Sequence, residues 1–281
     1  MFILIMPKTR ITTDTEDNGD LTVKSIIPLE IEDDDYNPVL PSIKRNSGSL
    51  ILLVGTTNSG KTTLINNLLL NRNMWGRRTN MPQGAFDTVM IISPSLYLDD
   101  SCRFLVENFD CYSEYNPEII EQMKARQLAL PKDKRPKQMI VIDDSVGLIE
   151  RNSSINYLGT RFRHFNCNII MSVQSFRACS PIMRVNANCV ILMNGIMNSK
   201  ELEKIGEEYS DIYKGTLLYC YRKYAPKKYD FITCYVRENP PRMLQGFHTE
   251  INYKQHRKEA KNFKFDEESE EEEEDNDISD S

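Results

Sequence analysis

The chain has 281 residues, of which 40% are hydrophobic and 27% charged, with a formal net charge of −6. That length suits one large α/β domain with appendages, and the modest hydrophobic share fits a chain that is partly tail. No apolar run approaches the roughly 18 residues of a membrane span, and seven scattered cysteines without a C-x-x-C pair argue against a disulfide frame or a zinc site and read as reduced intracellular thiols.

The opening run from Met1 to Met6 is apolar but short. No basic stretch precedes it and no small-residue cleavage site follows it, so an extra strand or a disordered end is expected there, not a secretory signal. Residues 1–47 form a leader that is polar from residue 7, broken by Pro28, Pro38 and Pro41 and charged at Glu32-Asp33-Asp34-Asp35. The leader is expected to be partly disordered, with one strand around Leu21 to Ile31.

A nucleotide-binding core is expected over residues 48–215. Leu50 to Val54 is an apolar run of strand length, and it ends on Gly55-Thr56-Thr57-Asn58-Ser59-Gly60-Lys61-Thr62. That octet matches the phosphate-cradling pattern G-x-x-x-x-G-K-[ST]. Thr63 to Leu70 follows with helical composition. A strand, a glycine loop and a helix start together make an anion site, because backbone N–H groups curl around the phosphates and the helix dipole favours negative charge. Gly55, Thr56, Thr57, Asn58, Ser59, Gly60, Lys61, Thr62 and Thr63 are the expected contacts to ATP. Lys61 reaches the β- and γ-phosphates, and the Thr62 hydroxyl binds Mg²⁺.

Phe86 to Ile92 reads as a second strand, bounded by Gly84 and Ser93-Pro94-Ser95. Pro117 to Leu130 reads as a helix capped by Asn116, with Ile119, Ile120, Met123 and Leu128 as its apolar positions. A charged loop, Lys132 to Lys137, leads into the best-formed strand, Gln138 to Asp144. Residues 151–164 form a polar, partly helical connection. Asn168 to Val173 and Cys189 to Met193 supply further strands, and Glu201 to Tyr209 a short charged helix. Thr216 to Tyr221 and Tyr229 to Val236 are expected to pair as a terminal hairpin. Continuous apolar strands alternating with polar helices predict a mostly parallel sheet covered on both faces, as in a P-loop NTPase.

The strand Gln138–Asp144 delivers two acids at its carboxyl end. In P-loop NTPases an acid there holds Mg²⁺, and a second acid beside it can orient or deprotonate the attacking water. Asp143 is assigned to the metal and Asp144 to the water; the alternative is a turn opening before Ser145 and Gly147. Gln174 ends the next strand, at the crevice where α/β sheets bind ligands. It could bond the γ-phosphate or the water, or simply terminate a strand. Arg161 and Arg163 lie upstream in Thr160-Arg161-Phe162-Arg163-His164. An arginine lent by a neighbouring subunit accelerates hydrolysis by about 10³–10⁵, whereas a surface arginine would only pair with a carboxylate. His164 receives no assigned role, whereas Arg177 and Arg184 are further basic candidates, equally able to touch the phosphate of a substrate or nothing.

Charge is segregated along the chain. Residues 266–281 carry eleven acids and no base, leaving 30 acids against 35 Lys and Arg in the remainder. Residues 216–265, a basic C-terminal extension, hold eleven Lys and Arg against four Asp and Glu. A basic segment beside an acidic, disordered tail suggests affinity for a polyanion and a tail able to compete for it; a merely solvated face is the alternative.

The loop Gly55–Thr62, the strand ending in Asp143-Asp144, the Arg161/Arg163-His164 approach and the strand ending in Gln174 together resemble the FtsK/HerA class of pumping ATPases. The likeness is greatest to the genome-packaging ATPases of large DNA viruses and spans roughly Ser49 to Asn194. The resemblance implies ATP hydrolysis with Mg²⁺, a homo-oligomeric ring that translocates double-stranded DNA into a viral capsid, and packaging proteins as partners. It also implies an intracellular location at the site of virion assembly, or association with the virion. Gln174 would be the sensor and Arg163 the arginine acting on the neighbour's nucleotide, chosen over Arg161 because His164 follows it. A P-loop nucleotide kinase is the first alternative, with Arg77-Arg78 or Lys132–Lys137 standing in for a lid. A nucleotide-dependent assembly switch is the second, although the sequence has no N/T-K-x-D guanine signature.

Overall fold

The computed structural model describes residues 48–77, 84–144, 153–196, 198–209 and 214–262. The leader, the strand expected near Leu21 to Ile31 and the acidic tail lie outside them. In chain order the elements begin with β1 (Ser49–Val54), α1 (Lys61–Leu70), β2 (Thr88–Ile92), α2 (Arg103–Asn108), β3 (Asp110–Tyr112) and α3 (Pro117–Leu128). Next come β4 (Gln138–Asp143), α4 (Ser154–Arg161), β5 (Cys167–Val173), α5 (Pro181–Asn186), β6 (Cys189–Met193) and α6 (Ser199–Glu208). The chain closes with α7 (Lys214–Tyr224), β7 (Phe231–Tyr235), β8 (Arg242–Gln245), β9 (Thr249–Glu250) and α8 (Arg257–Asn262).

The nine strands of the described residues form one sheet in the order β3-β2-β4-β5-β1-β6-β7-β8-β9. The pairs from β3 through β6 are parallel, and β7, β8 and β9 continue the sheet antiparallel. Strand alternation divides the core in two. Leu50, Leu52 and Val54 face one way, with Ile120, Leu158, Met183, Leu202, Leu218 and Tyr221 from the helices α3 to α7. Ile51 and Leu53 face the other way, against Leu64, Ile65, Leu68 and Leu69 of α1 and Leu105 of α2. β1 is buried along its whole length because helices cover both of its faces, as a parallel strand requires. Trp75 and Phe86 close the α1 side edge-to-face, with ring centroids 5.4 Å apart. No helix among the described residues is long and apolar enough to cross a membrane.

The expected strands of the core are present, with β4 ending at Asp143. β3 and α2 have no counterpart among the sequence expectations; β3 is only three residues long and half-buried, too short to show alternation. Two expectations are corrected. Thr216 to Tyr221 is not a strand but part of α7. Its tyrosines and threonine favour a strand, yet Leu217, Leu218 and Tyr221 form one buried helical face on the core, and packing overrides propensity. The terminal hairpin is therefore β7 with β8. In α3 the buried face is Ile120, Met123 and Gln127, while Leu128 is 58% exposed. Gln127 is accommodated inside because its amide donates to the Pro136 carbonyl at 2.9 Å. Asn116 caps this helix, accepting from the Glu118 N–H at 2.8 Å, and Pro117 takes the first position.

Candidate functional site

The site is built where three neighbouring strands end. β5 lies between β4 and β1, with Val54 level with Val173 and Asp143 level with Ser172. The segments leaving β1, β4 and β5 therefore emerge side by side: the glycine loop, the two acids and Gln174. The loop is tied to this edge by the Gly55 N–H, which donates to the Val173 carbonyl at 3.1 Å, and the Asp144 N–H likewise donates to Ser172 at 3.2 Å.

Within the loop, the glycines meet steric demands that other residues would violate. A Cβ on Gly55 would stand 2.6 Å from Ser59 Oγ and 2.7 Å from Met193 Cβ. Gly60 has φ of +93° at the N-terminus of α1, and Asn58 is also left-handed at +61°. Thr56, Thr57 and Asn58 are exposed, whereas Ser59 is only 5% exposed and its Oγ has no hydrogen-bond partner among the described residues. A buried hydroxyl left in this way inside a cradle of backbone amides fits a ligand with acceptor oxygens.

Lys61 is buried, and its Nζ donates to the loop's own carbonyls, at 2.7 Å to Gly55 and 2.9 Å to Thr56. Burial pushes its pKa down, opposed by the charges of Asp143 and Asp144. The Thr62 hydroxyl lies 3.3 Å from Asp143 Oδ2. Asp143 is 5% exposed, and burial pushes its carboxyl up, opposed by hydrogen bonding to Ser172, the Lys61 charge and hydrogen bonding to Thr62. A hydroxyl and a carboxylate converging beside a phosphate loop are hard oxygen donors of the kind Mg²⁺ takes alongside substrate phosphates and water. Among the described residues no group of three His, Cys, Asp or Glu could form a self-sufficient metal cage, so these two donors would act with oxygens from the bound phosphates.

Asp144 is exposed, in the left-handed region at φ +51°. Gln174 Nε2 donates to both of its carboxylate oxygens, at 3.0 and 2.9 Å. The structure thus joins the expected water-handling acid to the expected sensor. Thr63 is exposed on the first turn of α1.

Arg163 lies elsewhere. It is exposed in the turn Phe162–Phe165 that precedes β5, so it stands at the amino edge of the sheet, with its guanidinium over the Phe162 ring at 5.4 Å. The length of β5 separates that edge from the glycine loop by about 20 Å. Arg161 is engaged on its own helix, bonded to the Tyr157 hydroxyl and stacked over that ring. Lys132–Lys137 also leads into the amino end of β4, and Arg135 bonds the His164 carbonyl, so this loop sits away from the phosphate cradle. Arg184 is committed to structure, paired with Glu208 at 2.9 Å.

Sequence reading missed a further wall of the site. Gly195, just beyond β6, accepts from the Thr56 hydroxyl at 3.3 Å. Tyr229, in the turn between α7 and β7, places its ring against Gly60. These segments are distant in sequence and belong to no motif, so nothing in composition marks them.

No protein-family model matches the chain, and no curated protein matches it. Solved structures do. The DNA-packaging ATPase of Sulfolobus turreted icosahedral virus is 17% identical, aligning 72% of this chain with 100% of that one at a TM-score of 0.50. The genome-packaging NTPase of Sulfolobus turreted icosahedral virus 2, in complex with ATPγS, is 18% identical over 72% and 99% of the two chains, at 0.48. The pCW3 conjugation coupling protein TcpA, with ATPγS, is 14% identical over 74% and 60%, at 0.44. The likeness is one of fold: the chain has the α/β fold of a P-loop NTPase, as the DNA-packaging ATPase of Sulfolobus turreted icosahedral virus does.

Proposed function

We propose that this protein is a Mg²⁺-dependent ATPase that works in a homo-oligomeric ring and drives double-stranded DNA into a viral capsid. The observation that carries this reading is the convergence at the carboxyl edge of β4, β5 and β1. Thr62 meets Asp143 at 3.3 Å, and Gln174 bridges both oxygens of Asp144. Gly55 to Thr63 hold the triphosphate, and Lys61 exchanges its loop carbonyls for the β- and γ-phosphates. Thr62 and Asp143 would hold Mg²⁺, which when bound would supply positive charge beside the phosphates. Asp144 orients the attacking water and accepts its proton, and Gln174 senses whether the γ-phosphate is present.

Arg163 completes the reading at the level of assembly. It stands about 20 Å from its own loop, on the opposite edge of the sheet. A head-to-tail contact, in which different edges of identical subunits meet, closes into a ring and can bring one subunit's Arg163 to the next subunit's phosphates. Hydrolysis then depends on the interface and can move it. DNA would be gripped by its backbone without reading sequence, since phosphate contacts carry no sequence information directly. The basic residues 216–265 offer exposed cations for this, including Lys254, Arg257 and Lys258. The fold shared with a protein described as a DNA-packaging ATPase supports the choice of DNA as cargo.

The test is ATP turnover with and without linear double-stranded DNA, measured together with particle mass. DNA-stimulated turnover in a particle of several subunits is expected. Phosphate transfer to a nucleoside monophosphate without DNA stimulation would establish the kinase instead. Slow turnover with nucleotide-dependent partner binding would establish the switch.

A further inference from the structure

Tyr229 combines features that the phosphate chemistry does not use. Its backbone is left-handed, at φ +72°, a conformation that an aromatic residue adopts only where its surroundings enforce it. Those surroundings are specific. The Asp230 N–H donates to Lys227, and the Lys227 N–H donates to the Asp230 carboxylate at 2.9 Å. The Asn194 N–H donates to the Asp230 carbonyl at 2.8 Å, and its side-chain amide donates to Ala225 at 2.6 Å. The turn is therefore clamped to the end of β6, which borders the phosphate loop.

The clamp holds the ring edge-on to the loop. A Cβ on Gly60 would meet Tyr229 Cδ1 at 2.7 Å and Cε1 at 3.3 Å, so the absence of that Cβ is what admits the ring. The Lys228 ammonium lies 4.9 Å from the ring centroid, over one face. Even so, Tyr229 remains 48% exposed. A large aromatic is thus fixed beside the loop, with Cδ1 and Cε1 against Gly60, a cation over the ring and about half of the residue still exposed. Aromatic faces stack on nucleobases, and the stacking accepts any base because every base has a π-face.

We propose that Tyr229 is the platform on which the base of the bound nucleoside triphosphate stacks, so that the site grips the nucleotide at both ends. This rests on the nucleotide reading of the loop. Stacking supplies affinity without reading the base's hydrogen-bonding edge, which suits a motor that needs fuel and not a particular purine.

The experiment measures affinity for MgATP and for Mg-tripolyphosphate, which has the phosphates without a base, in full-length wild type, Tyr229→Asn and Tyr229→Phe. Asparagine tolerates the left-handed backbone and deletes the ring, and phenylalanine keeps the ring; thermal midpoints check that both variants fold. Tyr229→Asn is expected to weaken MgATP about tenfold and to leave tripolyphosphate unchanged, with Tyr229→Phe close to wild type. Equal weakening of both ligands would overturn the proposal, because the ring would then only prop the loop. Undiminished MgATP affinity in Tyr229→Asn would overturn it too, as would a loss in Tyr229→Phe as large as that in Tyr229→Asn. Wild type that binds neither ligand would overturn the nucleotide reading itself, a result distinct from the others.

Discussion

Asp143 and Asp144 are neighbours in sequence but occupy opposite environments. Asp143 is 5% exposed and lies against Thr62, whereas Asp144 is exposed and held by the Gln174 amide. The turn at Asp144, with φ of +51°, is what separates them. A buried acid whose charge is opposed by desolvation suits a metal, which supplies the missing counter-charge; an exposed acid that is oriented by an amide suits water. Asp144→Asn is therefore expected to lower kcat by about 10²- to 10⁴-fold, the range for loss of a general base. KM for ATP should stay within a few-fold, because the phosphate contacts remain. Steady-state kinetics separate the two quantities, and a rise in KM with kcat retained would assign Asp144 to binding instead.

Among the elements, the strands of the core were legible in the sequence because β1, β4, β5 and β6 are short, continuous apolar runs with polar flanks. The loop between β1 and α1 was legible as a connection because its motif fixes the glycine spacing. α7 was not, since its buried face of Leu217, Leu218 and Tyr221 is interleaved with residues that favour strands. Gly195 and Tyr229 were invisible as site residues, because only folding brings them to Thr56 and Gly60. A local pH effect belongs to this scale. Glu259 of α8 accepts from Tyr219 of α7 at 2.8 Å and lies 2.7 Å from His256 Nδ1. Hydrogen bonding to Tyr219, then to His256, holds its carboxyl below the ordinary glutamate value of 4.5. A depressed carboxyl stabilises the folded arrangement above that ordinary value, and the contribution is lost as pH falls through the depressed one. Hydrogen-exchange protection in α8, after correction for the intrinsic pH dependence of exchange, should therefore fall below about pH 4.5 more than protection in α3 does, and Glu259→Gln should remove the difference. Equal acid sensitivity in the variant would show that Glu259 is not the source of the effect.

At the scale of the whole molecule, the proposed function uses both ends of the sheet. The carboxyl edge carries the loop, Asp143, Asp144, Gln174 and the Tyr229 wall. The amino edge carries Arg163, exposed and about 20 Å away. If that arginine serves the neighbouring subunit, defects at the two edges fall in different halves of shared sites. Arg163→Ala should abolish turnover alone, as should Asp144→Asn, and mixing the two before assembly should restore part of it. Coincident loss without rescue in confirmed mixed rings would return Arg163 to a surface role. The most direct measurement of the central claim is phosphate release from MgATP by wild type and Lys61→Ala side by side, with circular dichroism and thermal midpoint confirming that both are folded. Wild type is expected to turn over and folded Lys61→Ala to fall by at least about 100-fold; hydrolysis by folded Lys61→Ala at the wild-type rate would contradict the site.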